Sequence, residues 1–312
     1  MGEEGFEPST FGFGGRHSIQ LSYPPLGQVI YTILAQMVPW LFALLNAVYP
    51  GRNWCWNLII VSHLQEYVLK KRLIELAFVA GFLLLASIAF WLTDADHSVA
   101  SAVLGPEKIS PLGIKFWPAG SGPPWNILYT LAPFPAFVLA VTALILLVSG
   151  FFIRKVASCR RKAVFVLLLL ALGPGLVVNV LLKDQLGRAR PREVIEFGGS
   201  HQFTQFWQPG SAGENSSFPS GHAAIAFFTI VPWFVLRDNK RAIAACFLVF
   251  GLSFGSLVGV ARILQGGHFV SDVVWAGGLI YLIGGGLALV MGFGREAGEN
   301  DAACAGFDEP VR

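Results

Sequence analysis

The sequence predicts an all-α protein, a polytopic helical membrane bundle with six core transmembrane helices. Of its 312 residues, 54% are hydrophobic and 13% are charged, and the mean hydropathy is +0.60. Soluble domains carry about 25% charged residues, so this composition excludes both a soluble globule and a disordered chain. Most of the apolar runs approach the ~20 residues that cross a bilayer. These runs are 73–93, 127–153, 163–182, 222–236, 242–263 and 273–293.

The boundaries of these runs divide the chain into an N-terminal region (1–72), a membrane domain (73–293) and a polar cytoplasmic tail (294–312). The fourth run is short unless residues 218–221 join it. A further stretch, 26–49, is apolar but contains two glutamines, a proline and an asparagine. For this stretch, a membrane crossing and an amphipathic interfacial helix both remain open.

The first 25 residues resemble the translation of a tRNA gene read on its opposite strand. Residues 5–8 read Gly-Phe-Glu-Pro, which is what the reverse strand of a tRNA T-arm encodes. We therefore expect that the gene start is over-extended and that translation begins downstream, near Met37.

Basic residues predict the orientation of the helices. Lysines and arginines concentrate in alternate connections, around 70–72, 154–162, 237–241 and 295, which should be cytoplasmic. Arg188, Arg190 and Arg192 fall on the opposite side, where they either are solvated loop charges or bind an anion. For Arg188 and Arg192 we expect contact with a charged head group or plain solvation. The net charge of +3 is too small to suggest a nucleic-acid partner.

Ionisable residues gather at helix ends on that same side. Lys183 ends the third run, His222 begins the fourth, Arg262 ends the fifth and His268 precedes the sixth. Because successive crossings alternate in direction, these four ends meet at one membrane face. Ionisable residues inside a membrane protein are costly and are candidates for function.

The spacing of these residues adds chemical detail. His268 and Asp272 are four apart, so the carboxylate can hold one imidazole nitrogen and leave the other free. Lys183 and Arg190 are seven apart and share a face if the helix continues, although Pro191 favours a helix end near Arg190.

Residues 220–222 follow Pro219 at a helix start, where backbone N–H groups favour an anion. Three cations, a hydroxyl and two histidines form a site for a tetrahedral oxyanion beside a nucleophile and an acid. Phosphoryl transfer suits such a site, since its catalysis is mostly positioning and charge stabilisation.

Three motifs resemble the signature of the type 2 phosphatidic acid phosphatase (PAP2) superfamily. They are Lys183-x6-Arg190-Pro191, Pro219-Ser220-Gly221-His222 and Arg262-x5-His268-x3-Asp272. The resemblance covers roughly residues 73–293. One departure is Ala261, which stands where the third motif usually has serine, so one hydroxyl for the phosphate is missing.

The resemblance implies a membrane phosphatase that needs no metal or other cofactor. His268 would be the nucleophile and form a phosphohistidine, Asp272 would orient it, and His222 would be the general acid and then the base. The remaining motif residues would hold the phosphoryl oxygens: Lys183, Arg190, Ser220, Gly221 and Arg262.

A weaker resemblance, in residues 187–199 and 265–269, is to bacterial lipid A phosphatases. It implies a lipid phosphate substrate in the bacterial inner membrane, with the site facing the periplasm. The alternatives are an undecaprenyl pyrophosphate phosphatase, a phosphatidylglycerol phosphate phosphatase, or a lipid phosphotransferase that uses the same site. Oligomeric state and the 1- or 4′-position are left open.

Overall fold

The computed structural model describes residues 63–104, 117–211 and 216–293, all within the unit Gly51–Arg312. These residues are largely helical, and the described ranges contain no β-strand beyond one isolated bridge between Val194 and His201. The helices are α1 (His63–Thr93), α2 (Ala95–Leu104), α3 (Trp125–Leu131), α4 (Pro133–Phe152), α5 (Arg160–Leu170), a π-helix (Ala171–Leu182), α6 (Lys183–Leu186), α7 (Gly221–Phe227), α8 (Val231–Leu236), α9 (Arg241–Leu264) and α10 (Val270–Val290). The predicted stretch 26–49, the predicted start at Met37 and the tail 294–312 lie outside the described residues.

The predicted helical membrane bundle is confirmed. Within the described residues, five helical segments are long and apolar enough to cross a membrane: Leu69–Thr93, Trp125–Phe152, Arg154–Glu193, Arg241–Leu264 and Val270–Val290. The fourth predicted crossing, now Gly221–Leu236, is the shorter one, because residues 218–220 do not join its helix. The protein is therefore a multi-pass membrane protein.

The outward faces of these helices are apolar. Leu92 is 80% exposed, and Phe78 and Phe152 are exposed to a similar degree. A contiguous surface of this kind is unfavourable in water but suits hydrocarbon, where helices satisfy their own backbone groups. The exposed side chains of α1 and α4 thus face lipid.

Two connections between the apolar runs have local structure of their own. The stretch 94–125 contains the helix α2 and a 3₁₀ turn at Pro118–Gly120. The helix that carries Lys183 ends at Leu186, because Gly187 adopts a left-handed conformation with φ of 58°. A left-handed glycine is a common helix stop. Lys183 and Arg190 therefore do not share a helix face.

The third crossing changes its hydrogen-bond pattern midway. From Ala171 to Leu182 it is a π-helix, and Pro174 lies inside it. Proline lacks an N–H, so it interrupts a regular ladder. The side chain of Asn179 donates from Nδ2 to the carbonyl of Pro174 at 2.8 Å. π-Helical turns are rare and often lie at functional sites, and this one leads directly into Lys183.

Glycines along α9 allow the helices around the site to approach closely. A Cβ on Gly255 would lie 2.2 Å from Phe227, and one on Gly259 would lie 2.2 Å from Val273. Small residues at such positions let membrane helices pack backbone to backbone. This packing holds α9 against α7 and α10, so that the ends bearing Arg262, His222 and His268 come together.

At the other end of the fourth crossing lies a group of polar residues that we call the Glu75 cluster, after its central member. Glu75 accepts from Arg237 at 2.7 Å, from Arg72 at 3.3 Å and from the hydroxyl of Tyr281. Arg72 also donates to Asp238. The cluster links α1, α10 and the turn after α8 by mutually paired groups.

Candidate active site

A cavity of about 890 Å³ opens where the predicted helix ends meet. Five of the predicted residues line it, and so do two further charged side chains, Arg192 and Glu193. The predicted residues are Lys183, Arg190, His222, Arg262 and His268. The helix ends that were expected to meet at one membrane face therefore do meet in the structure.

His268 lies at the base of this cavity and is 2% exposed. Its Nδ1 is 2.7 Å from the backbone carbonyl of Ser217. A carbonyl only accepts, so Nδ1 carries the proton and Nε2 is the nitrogen with a free lone pair. Burial lowers the pKa of His268 to about 4, although Asp272 acts in the opposite direction. The ring is therefore neutral at physiological pH.

Asp272 is fully buried beside the ring. Its Oδ2 lies 3.6 Å from Nδ1 of His268, which is beyond hydrogen-bond distance. The same oxygen accepts from the hydroxyl of Ser217 at 2.5 Å and from the N–H of Phe269 at 2.7 Å. The carboxylate therefore lies beside the protonated ring nitrogen at ion-pair distance, and the shorter contact of that nitrogen is with the carbonyl of Ser217. Ser217 stands between them, with its carbonyl on the ring and its hydroxyl on the carboxylate.

His222 is the second residue of α7 and is partly buried at the cavity wall. Its ring stacks on that of Tyr129, with centroids 4.5 Å apart and planes 30° apart. The guanidinium carbon of Arg262 lies 4.7 Å from the centre of the same Tyr129 ring. Tyr129, from α3, thus orients both the histidine and a cation, and the sequence patterns did not single it out.

Arg262, near the end of α9, is 7% exposed and directed by its neighbours. It donates to the side chain of Gln265, which in turn donates to the carbonyl of Gly120 at 3.1 Å. A Cβ on Gly267 would lie 2.4 Å from Nη2 of Arg262. The guanidinium therefore passes directly over the backbone of Gly267, and a larger residue there would displace it.

Lys183 and Arg190 reach the cavity from different local structures. Lys183 is the first residue of α6, directly after the π-helix. Arg190 has extended backbone, and its N–H donates to Glu193 at 3.0 Å. The carboxylate of Glu193 forms part of the cavity wall.

Ser220 and Gly221 lie at the start of α7 rather than on the cavity surface. The hydroxyl of Ser220 is fully buried and accepts from the N–H of Ala223 at 3.4 Å. A Cβ on Gly221 would lie 2.8 Å from Oδ1 of Asn179 and 3.7 Å from Nζ of Lys183. Contact of these two residues with a phosphate stays a prediction.

Arg188 is the largest departure from expectation. It was expected to contact a head group or to be solvated, but it is 1% exposed. It donates to Asp272 at 2.5 Å and to Asp96 at 2.8 Å. The sequence signal was its place on the side where basic residues are rare. The anions that it binds are carboxylates of the protein itself, and one of them comes from α2.

Comparisons with known proteins identify the family of the chain. The model of the PAP2 superfamily matches residues 162–294. The chain is 36% identical over 151 residues to a lipid A 4′-phosphatase of Francisella tularensis subsp. novicida, covering 48% of this chain and 67% of that protein. It is 36% identical over 115 residues to a lipid A 4′-phosphatase of Rhizobium leguminosarum, covering 36% of this chain and 48% of that one.

A solved structure also resembles the chain. It is a PAP2 type phosphatidylglycerolphosphate phosphatase from Bacillus subtilis, with a TM-score of 0.44 and 22% sequence identity, covering 70% of this chain and 94% of that one. The family model and the Francisella relative carry the assignment. The residues matched by the family model, 162–294, include the basic and histidine residues that line the cavity. The chain belongs to the PAP2 superfamily and is a membrane-bound phosphoric ester hydrolase.

Proposed function

We propose that this protein removes a phosphate from lipid A through a covalent phosphohistidine. The observation that carries the proposal is the state of His268. Its Nδ1–H is held by Ser217, and its ring is neutral and lines a cavity rich in basic side chains. A neutral imidazole with one nitrogen fixed and the other free is a competent nucleophile.

In the first step, the lone pair on Nε2 of His268 attacks the phosphorus. The bond between phosphorus and the lipid oxygen breaks, and its electron pair stays on that oxygen. His222 donates a proton to the leaving oxygen, which yields the dephosphorylated lipid. His222 is suitably placed because it lines the cavity together with His268 and is oriented by Tyr129.

In the second step, water replaces the histidine on phosphorus. His222, now without its proton, accepts one from the attacking water. The N–P bond breaks, its electron pair returns to Nε2, and inorganic phosphate leaves. Lys183, Arg190 and Arg262 neutralise the phosphoryl oxygens in both steps, since all three line the cavity. Ser220 and Gly221 complete the predicted phosphate contacts.

Two considerations support lipid A as the substrate. The Francisella and Rhizobium leguminosarum relatives, each 36% identical to this chain, are lipid A 4′-phosphatases. The cavity has room for more than a phosphate, and it combines the rings of Trp117 and Phe197 with the polar side chains of Asn126 and Gln265. Such a mixed wall suits a phosphorylated sugar better than a bare phosphate.

We further propose that the protein resides in the bacterial inner membrane with its cavity facing the periplasm. The basic connections, including Arg154–Cys159 and the turn with Arg237, lie at the ends of the helices remote from the cavity. By the positive-inside rule these ends are cytoplasmic.

The test is phosphate release by detergent-purified protein in EDTA. The substrates are lipid A, undecaprenyl pyrophosphate, phosphatidylglycerol phosphate and phosphatidic acid, with a His268→Ala variant alongside. We expect release from lipid A that the variant abolishes, and fragment masses of the product then show which phosphate was removed. Release from another lipid alone would overturn the substrate. No phosphate release from any lipid, with phosphorylation of an acceptor lipid once one is added, would indicate a phosphotransferase.

A further inference from the structure

Behind His268 lies a cluster of three charged groups that we call the buried triad: Asp96, Arg188 and Asp272. Each is at most 1% exposed. One guanidinium nitrogen of Arg188 donates to Asp272 at 2.5 Å, and another donates to Asp96 at 2.8 Å. The third, Nε, donates to the carbonyl of Thr204 at 2.9 Å. Arg188 is thus shared between two carboxylates.

The neutral donors around the triad do not change its charge. Ser271 donates through its N–H and its hydroxyl to Asp96, and Ser217 donates to Asp272. The triad itself contains two carboxylates and one guanidinium, so it holds one surplus negative charge when all three are ionised. Carrying such a surplus away from water is costly unless it interacts with a positive charge.

The reaction adds a positive charge beside the triad. When Nε2 of His268 bonds to phosphorus while Nδ1 keeps its proton, the ring becomes a cationic phosphoimidazolium. Oδ2 of Asp272 lies 3.6 Å from Nδ1. Arg188, on the other oxygen of Asp272, offsets this attraction. A second carboxylate on the far side of Arg188 offsets the arginine in turn.

We propose that Asp96 is a positioning residue for the phosphatase reaction, acting on His268 through Arg188 and Asp272. It holds Arg188 in place and leaves the triad with the one negative charge that stabilises the phosphorylated ring. This inference rests on the proposed phosphohistidine mechanism. The helix α2 contributes no motif residue, but through Asp96 it affects the rate of the reaction.

The first test neutralises Asp96 at constant shape, in an Asp96→Asn variant of the full-length protein. The matched control is Asp94→Asn, which removes a charge two residues away at an exposed site that contacts Gln205 rather than Arg188. We expect Asp96→Asn to lower kcat about ten-fold and to change KM by less than about two-fold, because the charge acts on the ring and not on substrate binding. Asp94→Asn should keep the wild-type kcat.

The second test separates charge from structure. A double variant, Asp96→Asn with Arg188→Met, restores one net negative charge and should have a higher kcat than Asp96→Asn alone. Rapid quenching with ³²P-labelled lipid should show less acid-labile phosphoenzyme in Asp96→Asn than in wild type. If Asp96→Asn does not fold, the double variant is measured in its place. We expect it to retain at least about a third of the wild-type kcat.

Three results would overturn the inference. These are an unchanged kcat in folded Asp96→Asn, an equal loss in Asp94→Asn, or a double variant that is less active than Asp96→Asn. If wild-type protein releases phosphate from none of the lipids, the proposed function itself fails and the inference fails with it. An active wild type with an unaffected Asp96→Asn variant overturns the inference alone.

Discussion

The fourth crossing, Gly221–Leu236, carries a group of charged residues at each end, and the two groups are built differently. At its Arg237 end, the Glu75 cluster contains two arginines and two carboxylates that pair with one another. At its His222 end, the cavity is lined by four basic side chains and one carboxylate. The balanced group is complete by itself and ties helices together, whereas the basic one is suited to bind an anion. Charge balance thus distinguishes a structural cluster from a binding site in one molecule.

The largest expected effect comes from the nucleophile at the cavity end. We expect His268→Ala to lower phosphate release at least about a thousand-fold, since removing a nucleophile leaves only binding and charge stabilisation. The variant should also form no phosphoenzyme. The matched control is His201→Ala, because His201 contacts Ser211 outside the cavity. Residual activity above about a tenth of wild type would contradict the assignment.

A second variant tests His222, the proposed general acid at the cavity end. His222→Ala should lower activity towards the lipid about 10²- to 10⁴-fold, the usual contribution of a general acid. In the first step, the loss with p-nitrophenyl phosphate should be much smaller, because nitrophenolate leaves without a proton. Single-turnover measurements of the leaving group, nitrophenolate or dephosphorylated lipid, compare the two losses before the water attack in which His222 is the base, and equal losses would rule out an acid role.

A variant in the Glu75 cluster should lose stability and keep its activity. Glu75→Gln removes the carboxylate that pairs with Arg237 and one of the two that pair with Arg72, so we expect a loss of about 1–3 kcal/mol of unfolding free energy. The specific activity of the folded protein should stay within about two-fold of wild type. Thermal unfolding in detergent and phosphate release measure the two quantities. The control is Asp238→Asn at the exposed edge of the cluster, where the loss should be smaller.

The smallest effect is a dependence of stability on pH at the cavity end. Burial lowers the pKa of His268 to about 4, whereas an unfolded histidine has a pKa near 6.5. Between these values the unfolded chain binds more protons, so the free energy of unfolding decreases as pH falls from about 6.5 to about 4. Melting temperatures of wild type and His268→Gln across this range provide the measurement. The slope should be shallower in the variant, and identical slopes would contradict the lowered pKa.

The sequence predicted the helices well because hydrocarbon thickness imposes a length that apolar runs reveal. The run 242–263, for example, became Arg241–Leu264. The convergence of Lys183, His222 and His268 was predictable for a related reason, since alternating crossings return every second end to one face. These inferences depend on chain direction and length, not on detailed packing.

Packing decided what the sequence could not predict. Arg188 and Asp96 are 92 residues apart, and no local pattern indicates that they pair. Tyr129 lies inside an apolar run, where periodicity does not tell which ring faces a cavity. Ser217 contacts the imidazole of His268 through its backbone, so its side chain identity holds no signal for that hydrogen bond. Each of these contacts depends on how separate helices dock.

The π-helix before Lys183 makes this part of the chain sensitive to insertions and deletions. Each residue added to or removed from an α-helix turns everything beyond it by about 100°. The wider turns from Ala171 to Leu182 set the angle at which Lys183 leaves the third crossing. A one-residue deletion there that restored regular α-helix would rotate the lysine away from the cavity without altering any residue of the signature motifs. In relatives of this protein, the number of residues in this segment is therefore as informative as their identity.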